Sequence, residues 1–258
     1  MEREQLQKQL LLMINIIFIL FFLSSFIFSN NGIAMITKSK GTVEYKNNAD
    51  GTVLKRKDVK KGLSLYDKDR IVTGSNGFAK YIYLDDGSLI KVHKNAEVYV
   101  YGAIDKRSII KQINVTEGNV KFEVSKQSSS DFTVVTPTSV ASVKGTDFWL
   151  KTDDEDGDQF FGLSGLVSVT NIESNEILQL TRNTTIKSRP DGQMVIQKTE
   201  PKDFRKLQEL ELDVGEINES EFNQSIVEQS GEDLPEGEIK VQLDDGSGSL
   251  KEIIIKYK

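Results

Sequence analysis

The sequence predicts an all-β protein, mainly an antiparallel β sandwich or roll of many short strands. An apolar helix precedes the strands, and a short helix and a hairpin follow them. Between Gly41 and Lys198, apolar residues recur with period two rather than 3.6. Asn, Gly and Asp interrupt this pattern about every ten residues. No helix-length apolar stripe occurs there, and spacing alone leaves sandwich, barrel and roll open.

The composition excludes several kinds of site. The 258 residues include no cysteine and one histidine, so disulfides and thiolate metal sites are excluded. The net charge of −6 is concentrated in the tail, where Glu200 to Glu238 holds 13 acidic residues against three basic ones. The rest of the chain is slightly basic, but too dispersed for a nucleic-acid surface. We therefore expect no metal, no cofactor and no nucleic-acid partner.

The first element is an apolar segment of nineteen residues, Leu10 to Phe28. At helical rise it spans roughly 28 Å, close to the thickness of the hydrocarbon core of a bilayer. Small residues at Gly32 and Ala34 leave a cleaved signal peptide and an uncleaved membrane anchor both open. Either interpretation exports the following residues, so we expect them to be periplasmic or extracellular.

The strands that follow alternate clearly. In "FAKYIYL", Ala79, Tyr81 and Tyr83 share one face, and the turn at 85–88 predicts a hairpin with "LIKVH". Glycines Gly41, Gly118 and Gly165 each stand two residues before a valine that begins a strand. Their unequal separations exclude a fixed-period solenoid, so we interpret them as strand entries after glycine turns.

The stretch "TPTSVASVKGTDFWL", Thr136 to Leu150, is predicted to be two strands joined at a corner. Pro137 cannot donate a ladder hydrogen bond, so the strand "FTVVT" should end at Thr136. Gly145 breaks the alternation and redirects the chain. Phe148 and Trp149 then point to opposite faces.

These motifs together resemble the FecR domain family. The resemblance covers roughly Gly41 to Arg189 and includes the block Leu65 to Val92 as well as the Thr-Pro corner. Several separated blocks in the right order are more specific than a single motif. The matching positions, which we interpret as structural, are Thr73, Gly74, Asp86, Gly87, Ser88, Gly118, Thr136, Pro137, Gly145, Thr146, Phe148 and Gly165.

The resemblance implies a β-rich, non-catalytic envelope domain. In named members a cytoplasmic anti-sigma segment precedes one membrane helix, and the outer β domain receives a signal from an outer-membrane transporter. The residues before Leu10 are too few for that segment. We expect a module for binding, scaffolding or signal reception with an envelope protein partner. A receptor working with a separate membrane partner, and a glycan-binding protein or carbohydrate-active enzyme, are the alternatives.

Other chemistry is weaker, and we assign no catalytic, cofactor-binding or metal residue. The acidic stretch Thr152 to Asp158 fails the spacing of a calcium loop and is expected to be a solvated hairpin turn. His93 is expected to lie in a turn. Strand aromatics could stack on sugars, but cross-strand packing is the preferred interpretation. These aromatics are Tyr81, Tyr83, Tyr99, Tyr101 and Trp149.

The tail begins with Phe204, Leu207 and Leu210 at helical spacing, which predicts one short helix over Lys202 to Leu212. An acidic, mostly disordered linker is expected next, and then a hairpin that docks on the β domain or adds to a partner sheet. The predicted domains are 1–34, signal peptide or anchor; 35–198, β domain; 199–237, helix and linker; and 238–258, hairpin.

Overall fold

The computed structural model describes residues 13, 32–106, 108–127, 131–153, 155–230, 237–244 and 250–257, with side chains as far as residue 226. The predicted membrane segment lies outside the described residues, apart from Met13. The chain divides into two compact units, Met1–Gly32 and Ile33–Lys258, and the fold below is that of the second. Among the described residues, no helix combines the length and the apolar character that crossing a membrane requires.

Seventeen strands form the β domain within these described ranges. In chain order they are β1 (Ala34–Lys40), β2 (Val43–Lys46), β3 (Val53–Lys55), β4 (Ser64–Leu65), β5 (Asp69–Thr73), β6 (Phe78–Tyr83), β7 (Leu89–Val92), β8 (Ala96–Asp105), β9 (Ser108–Glu123), β10 (Phe132–Val135), β11 (Ser139–Val143), β12 (Asp147–Asp153), β13 (Gly157–Ser164), β14 (Val167–Asn171), β15 (Ile177–Leu180), β16 (Thr184–Ser188) and β17 (Met194–Lys198). A short 3-10 turn, Arg56–Asp58, follows β3.

The pairings divide these strands into two sheets that share β9. The first sheet has the order β4-β1-β6-β7-β9-β12-β13-β16-β17. The second has the order β3-β2-β5-β8-β9-β10-β11-β14-β15. Every pair in these orders is antiparallel except β9 with β10. Residues of both sheets form one continuous core, so the predicted mainly antiparallel β fold is confirmed, as a sandwich.

Gly118 is the point at which β9 passes from the second sheet to the first. Its φ is +100°, and a Cβ there would lie 2.4 Å from the Cβ of Ala96, so only glycine fits. Gly41 and Gly165 lie at corners of the same kind, between β1 and β2 and between β13 and β14. The recurrence seen in the sequence therefore marks three of the places where the chain changes sheet.

The alternation predicted for β6 and β12 is confirmed. Ala79, Tyr81 and Tyr83 are fully buried in the core. Phe148 stacks on Phe122 inside this core, with ring centroids 4.8 Å apart. Trp149 belongs to a second, smaller apolar cluster on the opposite face of the first sheet. Burial of each large aromatic contributes roughly 2–3 kcal/mol, so this core is the main source of stability.

Among the residues that the structure describes after the β domain, there are two helices where one was predicted. Helix α1 (Pro201–Val214) confirms the predicted helix, with proline in its first turn and Gly215 as a left-handed cap. Helix α2 (Glu219–Ser230) occupies part of the expected disordered linker, so that expectation was wrong there. A reciprocal capping box explains it: Asn218 and Glu221 each accept the other's backbone N–H at 2.9 Å.

The predicted C-terminal hairpin is present as a separate two-stranded sheet. Its strands, β18 (Gly237–Asp244) and β19 (Leu250–Tyr257), pair antiparallel. Its docking on the β domain or on a partner stays a prediction, as do the predicted domain boundaries.

Candidate functional site

The family-motif positions lie at corners and turns, and the fold does not bring them into one site. Thr73 and Gly74 form the corner from β5 to β6, and Asp86, Gly87 and Ser88 form the turn from β6 to β7. The others lie in β9 (Gly118), the β10–β11 turn (Thr136, Pro137), the β11–β12 corner (Gly145, Thr146), β12 (Phe148) and the β13–β14 corner (Gly165). Thr73 shows the kind of role involved: its hydroxyl bonds the backbone at His93 and Ala96.

The acidic stretch forms the β12–β13 hairpin, as predicted, but its last residue is not solvated. Asp158 is fully buried and accepts hydrogen bonds from the hydroxyls of Thr136, Thr138 and Thr152. It therefore joins the Thr-Pro corner of the second sheet to the first sheet. In the described part of the chain, no group of three His, Asp or Glu side chains is arranged to hold a metal.

The most distinctive polar feature is a row of lysines on the outer face of the first sheet. Four adjacent strands, β1, β6, β7 and β9, each place one lysine directly opposite the next. We call this set the lysine row; it consists of Lys38, Lys80, Lys91 and Lys121. Like charges directly opposite in a sheet repel one another. The row therefore needs counter-charges.

Helix α1 and its C-terminal cap supply those counter-charges. Glu211 is fully buried, and its Oε2 accepts from the ammonium groups of Lys91 and Lys121, both at 2.8 Å. Glu216 accepts from Lys38 and Lys80, also at 2.8 Å. Two carboxylates from the tail thus neutralise four lysines, and Glu123 of β9 adds a more exposed one.

The orientation of α1 fits the row at both ends. At its C-terminus, Lys38 donates to the carbonyls of Val214 and Gly215 at 3.0 and 3.1 Å, where the helix dipole favours a cation. Toward its N-terminus, Leu207 packs on Trp149 and Phe161, which continue the row onto β12 and β13. The surface therefore contacts the helix along its length. Apolar side chains meet the N-terminal part of the helix, and lysines meet the acidic residues at its C-terminal end.

His93 lies in the turn between β7 and β8, as predicted, and its side chain is buried beneath α1. It is 1 % exposed, its Nε2 is 3.0 Å from Oε1 of Glu211, and its ring is 4.8 Å from that of Trp149. Burial lowers the pKa of His93 below its ordinary value. The burial of His93 was not predicted, because it depends on α1, which covers the end of β7.

The carboxylates of the site are held in their charged form. Burial alone would raise the pKa of Glu211, but His93, Lys121 and Lys91 together hold it well below its usual range. Burial alone would also raise the pKa of Glu216, but its hydrogen bonds with Lys38 and Lys80 lower it. Paired charges of this kind hold two surfaces together.

The sugar-stacking platform considered from the sequence does not form. Tyr81 and Tyr83 face the core, and Trp149 is covered by α1, all with no exposed surface. Tyr99 and Tyr101 are partly exposed on β8. The preferred interpretation, cross-strand packing, is confirmed for the three buried rings.

Comparison with known proteins gives one family and two similar structures. The family described as FecR protein matches residues 69–162, which confirms the resemblance over that stretch. Two crystal structures of candidate anti-sigma factors from Parabacteroides distasonis ATCC 8503 are similar in fold. The first has 19% identity and a TM-score of 0.46, covering 64% of this chain and 75% of that one. The second has 17% identity and a TM-score of 0.45, covering 73% and 98%. No curated protein matches the chain significantly.

Proposed function

We propose that this chain, whose residues 69–162 form a FecR-family segment, is a signalling module of the cell envelope that acts by binding another protein. The family match carries the proposal, because the family is regulatory rather than catalytic. The site beneath α1 supports it, since charge-complementary surfaces with an apolar end are typical of protein recognition.

The location of the β domain is the first part to test. We place it outside the inner membrane, in the periplasm or beyond, exported or anchored by Leu10 to Phe28. Protease added to intact spheroplasts should cleave the β domain and leave a cytoplasmic marker protein uncut. Protection of both proteins until the cells are lysed would contradict the placement.

The partner is the second part to test. The tagged full-length chain is used to capture proteins from detergent-solubilised envelopes, beside an unrelated exported protein carrying the same tag. We expect specific retention of an outer-membrane transporter or a sigma-pathway protein. If the chain retains no protein and sediments with cell-wall polysaccharide, glycan binding replaces this proposal. Burial of Tyr81, Tyr83 and Trp149 gives that alternative no stacking surface at these positions.

A further inference from the structure

The lysine row is costly unless an anionic partner covers it. Its four ammonium groups stand directly opposite one another on four neighbouring strands. Each neighbouring pair of lysines in such a row is a repulsive cross-strand pair. Alternation requires only some outward-facing residue at each of these positions. A row of this kind therefore indicates a surface built to receive negative charge.

Helix α1 fits this surface but is not part of the main core. No residue of α1 belongs to the core cluster of the sandwich; its Leu207 packs only in the small cluster with Trp149 and Phe161. A cavity of about 250 Å³ remains beside the helix, lined by Asn76, His93 and Leu210 among others. We therefore expect the sandwich to remain folded when α1 leaves.

The energetics of the interface allow exchange. Glu211 and Glu216 sit among charged lysines, and in such buried pairs the attraction is largely offset by lost hydration. The net stability of the docked helix then depends on a few apolar contacts. Another helix with the same groups at the same spacing could make equivalent contacts.

We propose that the lysine row is the binding surface for an acidic helix of a protein partner, and that α1 occupies this surface until the partner helix displaces it. This inference rests on the proposed function, because it names how the partner would be recognised. The partner would present an apolar residue and, four residues later, a carboxylate on a helix that ends within the next turn, with a second carboxylate just after the helix cap, as Leu207, Glu211 and Glu216 do.

The surroundings of the row favour a helix over a continuous anionic surface such as a lipid bilayer. Glu123 on β9 and Asp147 on β12 are paired opposite each other. They lie two residues along their strands from Lys121 and Trp149, beside the row. Their carboxylates would repel a broad layer of anionic headgroups, whereas a single helix such as α1 docks along the row beside Glu123. The apolar pair Trp149 and Phe161 at the end of the row suits a leucine side chain.

The test measures whether α1 can be replaced in trans. A fluorescein-labelled peptide of residues 200–218 is titrated into the full chain in detergent, and binding is followed by anisotropy. The double variant Glu211→Gln/Glu216→Gln weakens the internal helix. The matched control, Glu209→Gln/Glu219→Gln, removes the same charge from exposed positions of the tail.

We expect the double variant to bind the peptide about tenfold more tightly than the wild type or more, because a tethered helix competes at high effective concentration. The control variant should bind like the wild type. Equal affinity of the double variant and the wild type, with an unchanged β-sheet circular dichroism signal, would overturn the proposal. Equal binding of a scrambled peptide would also overturn it, since it would show attraction by charge alone, as a lipid surface would give.

A second measurement uses only the wild-type chain, in case the double variant does not fold. Excess unlabelled peptide should speed hydrogen exchange at residues 201–214 and leave β9 and β12 unchanged. No increase at saturating peptide would contradict displacement. If the peptide fails to displace α1 but the envelope capture succeeds, the displacement mechanism is wrong and the proposed function stands. If the peptide displaces α1 but the capture retains no protein, the proposed function is wrong and the lysine row remains a helix-binding surface.

Discussion

Replacing Glu211 with glutamine should release α1 from the sheet without unfolding the sandwich. Glu211 has no exposed surface, and it bonds Lys91 and Lys121 at 2.8 Å each. Glutamine keeps the shape but leaves both ammonium groups short of a counter-charge. Lys91 would keep Glu216 at 3.3 Å, and both lysines would keep the more exposed Glu123.

The expected magnitude follows from these contacts. Removing one partner of a buried ion pair typically costs about 3–5 kcal/mol. The remaining carboxylates compensate in part, so we expect about 3 kcal/mol for the docking of α1. At about 1.4 kcal/mol per factor of ten, the opening equilibrium of α1 rises roughly 150-fold.

Hydrogen exchange measured by mass spectrometry is the assay. Amides in residues 201–214 should lose protection by this factor, while those in β9 and β12 keep theirs. Glu209→Gln removes the same charge from an exposed position of the same helix and should change neither region. If β9 and β12 lose protection together with α1, the helix is an integral part of the fold and the reasoning is refuted.

Three further predictions concern pH and the sandwich itself. Because His93 has a lowered pKa when docked, the released state binds the proton first; docking is strongest above about pH 6.5 and weakens as the pH falls below it. As the pH falls below that value, the fluorescence emission of the chain's single tryptophan should shift to the red. The variant His93→Gln should not show this shift. Asp158→Asn should lower the free energy of unfolding by about 2 kcal/mol in a urea titration, because the buried carboxylate that accepts hydrogen bonds from three hydroxyls is replaced by a neutral amide. Asp156→Asn, on the exposed turn, should leave the free energy of unfolding unchanged. Gly118→Ala should destabilise by about 3 kcal/mol or prevent folding, since the added Cβ clashes. Gly51→Ala, at a similar positive φ with open space around it, should cost only about 1 kcal/mol.

The features that local pattern determines could be predicted from the sequence. Alternation placed Ala79, Tyr81 and Tyr83 on one face and separated Phe148 from Trp149, because side-chain direction in a strand depends only on position parity. The spacing of Phe204, Leu207 and Leu210 located α1, because residues three positions apart share one face of a helix.

The lysine row could not be predicted, because it depends on register between strands far apart in the sequence. Alternation places Lys80 on an outer face, but only the pairing of β1, β6 and β7 aligns it with Lys38 and Lys91. The burial of Glu211 depends in turn on where α1 docks. Helix α2, by contrast, could have been predicted. The capping-box pair Asn218 and Glu221 that begins it can be recognised in the sequence.

The sharing of β9 by both sheets has a consequence for how the chain folds. Strand β9 pairs with β7 and β12 in one sheet and with β8 and β10 in the other. During synthesis, β1 to β8 therefore emerge without the strand that joins them. Most of the stabilising contacts then form between distant segments, which predicts slow folding, on the order of milliseconds to seconds. A chain cut just before Ser108 would lose the centre of both sheets in one step.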